Sequence, residues 1–139
     1  MKSSLKILFD SNVLISAMFS KNSTPARAID LAIELGAFTI CEQNFEKVSR
    51  FIRENSNRKF ANASRVLRLI LTMAKNIPTP TDEIDQEMLI RDETDRPILR
   101  AAVSANVDII ISGDKDFLES GIDKPKILTA RDFLDEFVS

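Results

Sequence analysis

"IIISGDKDF", residues 109–117, drives three isoleucines into a turn of small residues that carries two aspartates. Near the other end of the chain, "ILFDSNVLI", residues 7–15, repeats the pattern of an apolar run that stops on an acid. Short continuous apolar runs bounded by turn residues read as strands buried on both faces, where polar–apolar alternation is lost. Helical spacing follows each of them. Val13, Leu14, Ala17 and Met18 share one face after the first, and "KDFLES" makes a brief helical turn after the second.

The same alternation continues between these two runs. "TPARAIDLAIEL" (24–35) opens with Thr before Pro and is ended by Gly36, a good helix start and stop. "AFTI" (37–40) is a second short strand, and Phe45, Val48, Phe51 and Ile52 then recur at helical spacing. "RKFANASRVLRLILTMAK" (58–75) reads as another amphipathic helix, and the proline-broken "NIPTPTD" (76–82) has room for a short edge strand. A helix over 96–105, the strand "DIIIS" (108–112), the strand "KIL" (126–128) and the helix "ARDFLDEFV" (130–138) complete the chain. Strands alternating with helices predict an α/β three-layer sandwich: a four- to five-stranded parallel sheet flanked by helices, in a single domain over 1–139.

Composition removes many chemistries. The chain has no His, so Ser-His-Asp triads and His-paired cysteine nucleophiles are excluded. Its one cysteine, Cys41, allows no intrachain disulfide and no Cys-based zinc site. With three glycines there is no Gly-rich phosphate loop. Catalysis is left to carboxylates, lysines, hydroxyls or a metal held by oxygen. The apolar runs are too short to span a bilayer, and the N-terminus reaches an acid too soon to be a signal peptide, so a cytosolic protein without membrane association is expected.

In open parallel sheets, ligands bind beyond the carboxyl ends of the strands, where the strand order reverses. Asp10 follows the first strand directly, Asp114 and Asp116 follow the later one, and Asp95 opens the helix that feeds it. Each could be a helix N-cap, a position Asp favours. Together, however, clustered carboxylates raise one another's pKa unless a cation compensates. Without His or Cys, the fitting cation is a hard one such as Mg²⁺, which takes oxygen ligands and keeps several waters. Bound there, it can activate water against a phosphodiester.

These residues carry a resemblance. "LFDSNVLIS" (8–16) resembles the first motif of PIN-domain ribonucleases, "DETDRPILRAAVSANVDIIISGDKDFL" (92–118) resembles their third and fourth, and "ILTARDFL" (127–134) is similar to their usual ending. The similarity is nearest to the toxin components of toxin–antitoxin pairs, the VapC type. It implies a parallel sheet between helices and Mg²⁺- or Mn²⁺-dependent endoribonuclease activity on single-stranded RNA. It also implies a homodimer and an antitoxin protein as partner. By matching motifs, Asp10, Asp95 and Asp114 resemble the metal-binding and catalytic acids, with Asp116 an auxiliary ligand. Asn12 and Ser112 resemble the supporting polar residues.

One element departs from the family pattern. The resemblance implies a Glu early in the helix after the second strand, and in "CEQNFEKVSRFI" (41–52) Lys47 falls in that register. Glu46, one residue earlier, is taken as the replacement. Glu42, a turn before, suits the helix dipole. This departure keeps open an alternative, a catalytically weakened PIN-like domain that binds RNA or protein. Phosphatases of the haloacid-dehalogenase type need a second Asp where Asn12 stands, and response-regulator receivers need an acid beside Asp10 that is absent.

The net charge of −2 is unevenly spread. From Lys47 to Lys75 there are eight basic residues against the single acid Glu54, so this block carries +7 and the remainder −9. A solvated helix face is one reading. A phosphate-binding face is the other, with Arg50, Arg53, Arg65 and Arg68 as the RNA-binding candidates.

Overall fold

A computed structural model describes residues 5–55 and 57–138; residues 1–4, 56 and 139, included in the single-domain reading, lie outside it. Five strands, all paired in parallel, form one sheet: β1 (Ile7–Phe9), β2 (Phe38–Cys41), β3 (Lys75–Ile77), β4 (Ile109–Ile111) and β5 (Lys126–Leu128). Seven helices connect them: α1 (Ser11–Ala17), α2 (Thr24–Glu34), α3 (Glu42–Glu54), α4 (Ala61–Thr72), α5 (Arg96–Ser104), α6 (Lys115–Leu118) and α7 (Ala130–Phe137). The strand order is β3-β2-β1-β4-β5. The chain winds outward from β1 to β3, returns to β4 beside β1, and winds the other way, so the order reverses between β1 and β4.

Residues of opposite parity along each strand serve opposite faces, as a two-residue period requires. Ile7, Phe9, Phe38, Ile40, Ile109 and Ile111 pack with α1, α2, α3, α4 and α7. Leu8, Cys41 and Ile110 pack with α5, α6 and Ile90 on the other side. The β1 and β4 side chains are almost wholly buried, and each such residue contributes about 1.5–3 kcal/mol. Phe9 meets Phe38 edge to face, with ring centroids 5.3 Å apart. The three layers and the parallel sheet agree with the sequence reading.

Most boundaries differ from the expected ones by a residue, among them β2, which runs over Phe38–Cys41 instead of 37–40, and one differs by more. The helix expected over 58–75 is a 3-10 turn at Arg58–Phe60 followed by α4, which ends at Thr72, and Lys75 opens β3 instead of closing the helix. Met73 and Ala74 close the last turn through bonds to the carbonyls of Ile70 and Leu71. As the sheet's edge, β3 exposes Lys75 and Asn76 and carries no apolar run. At the other helix ends, Gly36 (φ 68°) and Asn106 (φ 56°) take the left-handed conformation, and the following N–H groups of Ala37 and Val107 bond back to Ala32 and Ala102.

The connection from β3 to α5 carries part of the site, and a buried ion pair fixes it. Arg100 of α5 donates to Glu87 through Nε (2.9 Å) and Nη2 (2.8 Å), and through Nη1 to the Pro80 carbonyl (3.0 Å). Removing one partner of such a buried pair costs about 3–5 kcal/mol. Next along the chain, Arg96 Nε donates to the Ile90 carbonyl at 2.8 Å and closes the turn that bears Asp92 and Asp95.

Candidate active site

Acids collect where the strand order reverses. The backbone N–H of Asp10 donates to the Ile111 carbonyl at 2.8 Å, tying the end of β1 to the end of β4. Ser112 Oγ donates to Asp10 Oδ2 (2.9 Å) and accepts from the Asp114 N–H (3.0 Å), while Asp114 Oδ1 accepts from the Asp116 N–H (2.9 Å). The buried Ser112 therefore orients the Asp10 carboxylate and ties it to the backbone that carries Asp114. Only Asp114 works as a side-chain cap; Asp10 before α1 and Asp95 before α5 make no capping hydrogen bond. Capping therefore accounts for one of the three.

Asp10 Oδ1 is buried and has no hydrogen-bond partner among the described residues. An unpaired buried carboxylate oxygen is costly. Burial pushes the Asp10 carboxyl above its ordinary range, opposed by the Ser112 hydrogen bond and the positive charge of Lys47, while the charge of Asp114 adds to the rise. Asp95 is affected more strongly. Burial, then the charge of Asp10, then the Asp114 carboxylate within hydrogen-bonding reach, push its carboxyl up to about 7. These groups hold more negative charge in one place than they can stably keep.

A second group shares Asp95. Asp92, Asp95 and Asp116 each offer a carboxylate oxygen, all within 4.8 Å of one another. Asp116 also meets Arg91 Nε at 3.2 Å. Asp92 was not among the residues singled out from the sequence. Asp92 precedes a 3-10 turn at Glu93–Asp95, a geometry that brings residues three apart onto one side and that the sequence does not announce. Asp92 accepts from the Thr94 hydroxyl (2.8 Å) and N–H (3.0 Å), which lowers its carboxyl below the ordinary value.

Helix α3 borders the acids on the β2 side. Gln43 Nε2 donates to the Thr94 carbonyl, clamping α3 to the Asp92–Asp95 turn. Lys47, one helical turn further on, is half-buried and lowers both Asp10 and Asp92. Glu46 is exposed and lines an opening of about 270 Å³ with Gln43, Lys47, Arg50 and Thr94. Glu42 Oε1 accepts from the Thr79 N–H at 2.7 Å, toward β3 and away from the strand reversal. Asn12 is exposed on α1 at the other rim. Arg50, Arg53, Arg65 and Arg68 are all exposed; Arg53 and Arg68 line a groove of about 570 Å³ between α3 and α4.

The PIN-domain family model matches residues 6–116, which include every one of these acids. The chain belongs to the PIN-domain family. A similar full-length relative is the uncharacterized protein MJ1680 of Methanocaldococcus jannaschii, 26% identical over 98% of this chain and 94% of that protein. Two solved structures share the fold. VapBC2 from Rickettsia felis, bound to a DNA fragment from its promoter, superposes with a TM-score of 0.66 at 12% identity over 89% of this chain and 97% of that one. PAE2754 from Pyrobaculum aerophilum gives 0.63 at 16% identity over 95% and 89%. In this PIN domain, then, the buried acids occupy the reversal point of the family's sheet, and a lysine faces them from α3.

Proposed function

We propose that this PIN domain is a metal-dependent endoribonuclease that hydrolyses single-stranded RNA and acts as the toxin of a toxin–antitoxin pair. The observation that carries the reading is Asp10 Oδ1, a buried carboxylate oxygen without a partner among the described residues, beside a second buried acid whose pKa is raised to about 7. All the donors are carboxylate oxygens, the set a hard divalent cation requires. Asp10, Asp95 and Asp114 would hold Mg²⁺ or Mn²⁺, with Asp92 and Asp116 at the outer side. The bound cation would supply an activated water and charge neutralisation at the phosphoryl oxygens. Ser112 holds Asp10 Oδ2 and leaves Oδ1 without a partner among the described residues, and Asp114 is held by the Asp116 N–H.

The acids repel a polyanion, so affinity for RNA has to come from elsewhere on the surface. Arg50 and Arg53 on α3 and Arg65 and Arg68 on α4 are the phosphate contacts in this reading, and such contacts are sequence-independent. A homodimer and an antitoxin partner belong to the same proposal. Exposed Phe45, Leu69 and Met73 on these helices offer apolar surface for a partner to cover. Among the described residues no helix is long and apolar enough to cross a membrane. A cytoplasmic location belongs to the toxin reading.

The position of Lys47 favours one competing reading, an RNA- or protein-binding PIN domain without cleavage, because its ammonium already supplies part of the compensating charge. Calorimetry with Mn²⁺ separates the two. The nuclease reading expects saturable binding that is lost in Asp10→Asn, together with cleavage of a mixed RNA pool in Mn²⁺ or Mg²⁺ but not in EDTA. Absence of metal binding would leave only the competing reading.

A further inference from the structure

A second groove adjoins the acids on the side away from the basic block. It lies between α1, α2 and α7, has a volume of about 450 Å³, and is lined by Asn12, Ser16, Thr24, Gly113, Asp114 and Arg131, among others. Asp114 therefore belongs to the acid cluster and to this groove alike. Arg131, exposed on the first turn of α7, donates from Nη2 to Thr24 Oγ1 at 3.1 Å, which holds the guanidinium at the groove. The Ala26 N–H at the start of α2 and the Asp132 N–H at the start of α7 are taken by the Ser23 and Thr129 side chains, and Arg131 is the one cationic side chain lining the groove. Gly113 forms the lip toward the acids, and a Cβ there would meet nothing within 4 Å.

The topology gives this groove a direction. Helix α3, with its basic side chains, follows β2; Asp10 follows β1, and Asp114 and Asp116 follow β4; α7, with Arg131, follows β5. A chain of phosphates running along the carboxyl edge from α3 to Arg131 crosses the acids midway, over three strand spacings or about 14 Å. Cations at both ends would anchor a flexible polyanion across a centre that repels it. We propose that the groove between α1, α2 and α7 takes the nucleotide beyond the cleaved linkage, with Arg131 binding its phosphate and Asn12, Ser16 and Thr24 offering polar contacts to the sugar or base. This inference rests on the nuclease reading.

The test uses a labelled single-stranded RNA and the full chain. Binding is followed by anisotropy across a salt series in an Asp10→Asn background, and cleavage is followed without that background. Arg131→Gln should lower the salt slope of log K by about 0.7, one phosphate contact. It should raise KM about tenfold with kcat within about threefold, and Arg131→Lys should restore most of the slope. Gly113→Val should raise KM severalfold by narrowing the lip, without a fall in melting temperature. An unchanged slope and KM in Arg131→Gln, or a Lys variant no better than Gln at equal melting temperature, would overturn the groove assignment, as would a parent protein that binds no RNA. A parent that binds RNA with the Arg131-dependent slope but cuts none would keep the groove as a phosphate site and remove the nuclease activity.

Discussion

Replacing Asp95 by Asn should stabilise the metal-free protein, in a manner set by pH. The Asp95 carboxyl is raised from 3.8 to about 7, so the folded state holds a proton that the unfolded chain releases. Below pH 4 both states are protonated and this group contributes no penalty. Between about pH 4 and 7 the folded state binds more protons than the unfolded one, so stability falls as pH rises, and above 7 the loss is complete. At 1.36 kcal/mol per pKa unit the ceiling is roughly 4 kcal/mol. Water at the mouth of the cluster brings it nearer to about 2 kcal/mol. Asn is neutral at every pH and can donate to Asp114 as the protonated acid does. At roughly 3–4 °C per kcal/mol for a chain of this size, Asp95→Asn should melt about 6–8 °C above the parent at pH 8 in EDTA, and the two should converge toward pH 4. Calorimetric melting over pH 4–8 measures the difference directly. A variant that melts at or below the parent at pH 8 would refute the argument that these acids repel one another across a shared pocket.

Three further outcomes follow from the same geometry. Lys47→Glu removes the cation that offsets Asp10 and Asp92, so it should lower the melting temperature in EDTA yet tighten Mn²⁺ binding severalfold; calorimetry that finds weaker binding would assign Lys47 to the metal-bound state. Glu42→Gln should leave Mn²⁺ affinity within about twofold, since Glu42 is engaged by the Thr79 N–H; if Glu46 is the replacement acid, Glu46→Gln should weaken that affinity, and equal affinities for both variants would withdraw Glu46 from the site. Reversing Arg65 and Arg68 to Glu should weaken RNA binding uniformly across sequences and lower the salt slope by about 1.4 for two contacts, with Mn²⁺ affinity intact; an unchanged slope would remove α4 from the RNA-binding surface.

The sheet was legible because β1 and β4 are central strands buried on both faces, which leaves unbroken apolar runs such as Ile109–Ile111. Edge strand β3 was only loosely placed, because an edge flanked by solvent needs no apolar pattern, and Lys75 and Asn76 extend a helical rhythm as readily as they begin a strand. Asp10, Ser112 and Asp114 could be read as neighbours from strand-end position alone, since parallel strands deliver their last residues to one edge. Asp92 could not be read that way. Its place depends on a 3-10 turn held by Arg96 and on a loop pinned by Glu87 and Arg100, contacts with no sequence period. The orientation of α3 was ambiguous for a similar reason. Helical spacing fixes which face is buried, whereas the Gln43–Thr94 contact fixes which rim residue meets the acids. The groove at Arg131 went unread because residues from α1, α2, α7 and the turn after β4 meet there only in three dimensions.

Whether the acids gathered at the strand reversal cut RNA with a divalent cation is decided by following a labelled single-stranded RNA with the parent protein and with Asp10→Asn, in Mn²⁺ and in EDTA. The parent should cleave in Mn²⁺ and not in EDTA, and Asp10→Asn should lose about a hundredfold or more while folding with an equal or higher melting temperature, because a like charge has been removed. Cleavage by Asp10→Asn at the parent's rate, or by the parent in EDTA, would contradict metal-dependent cleavage by these acids.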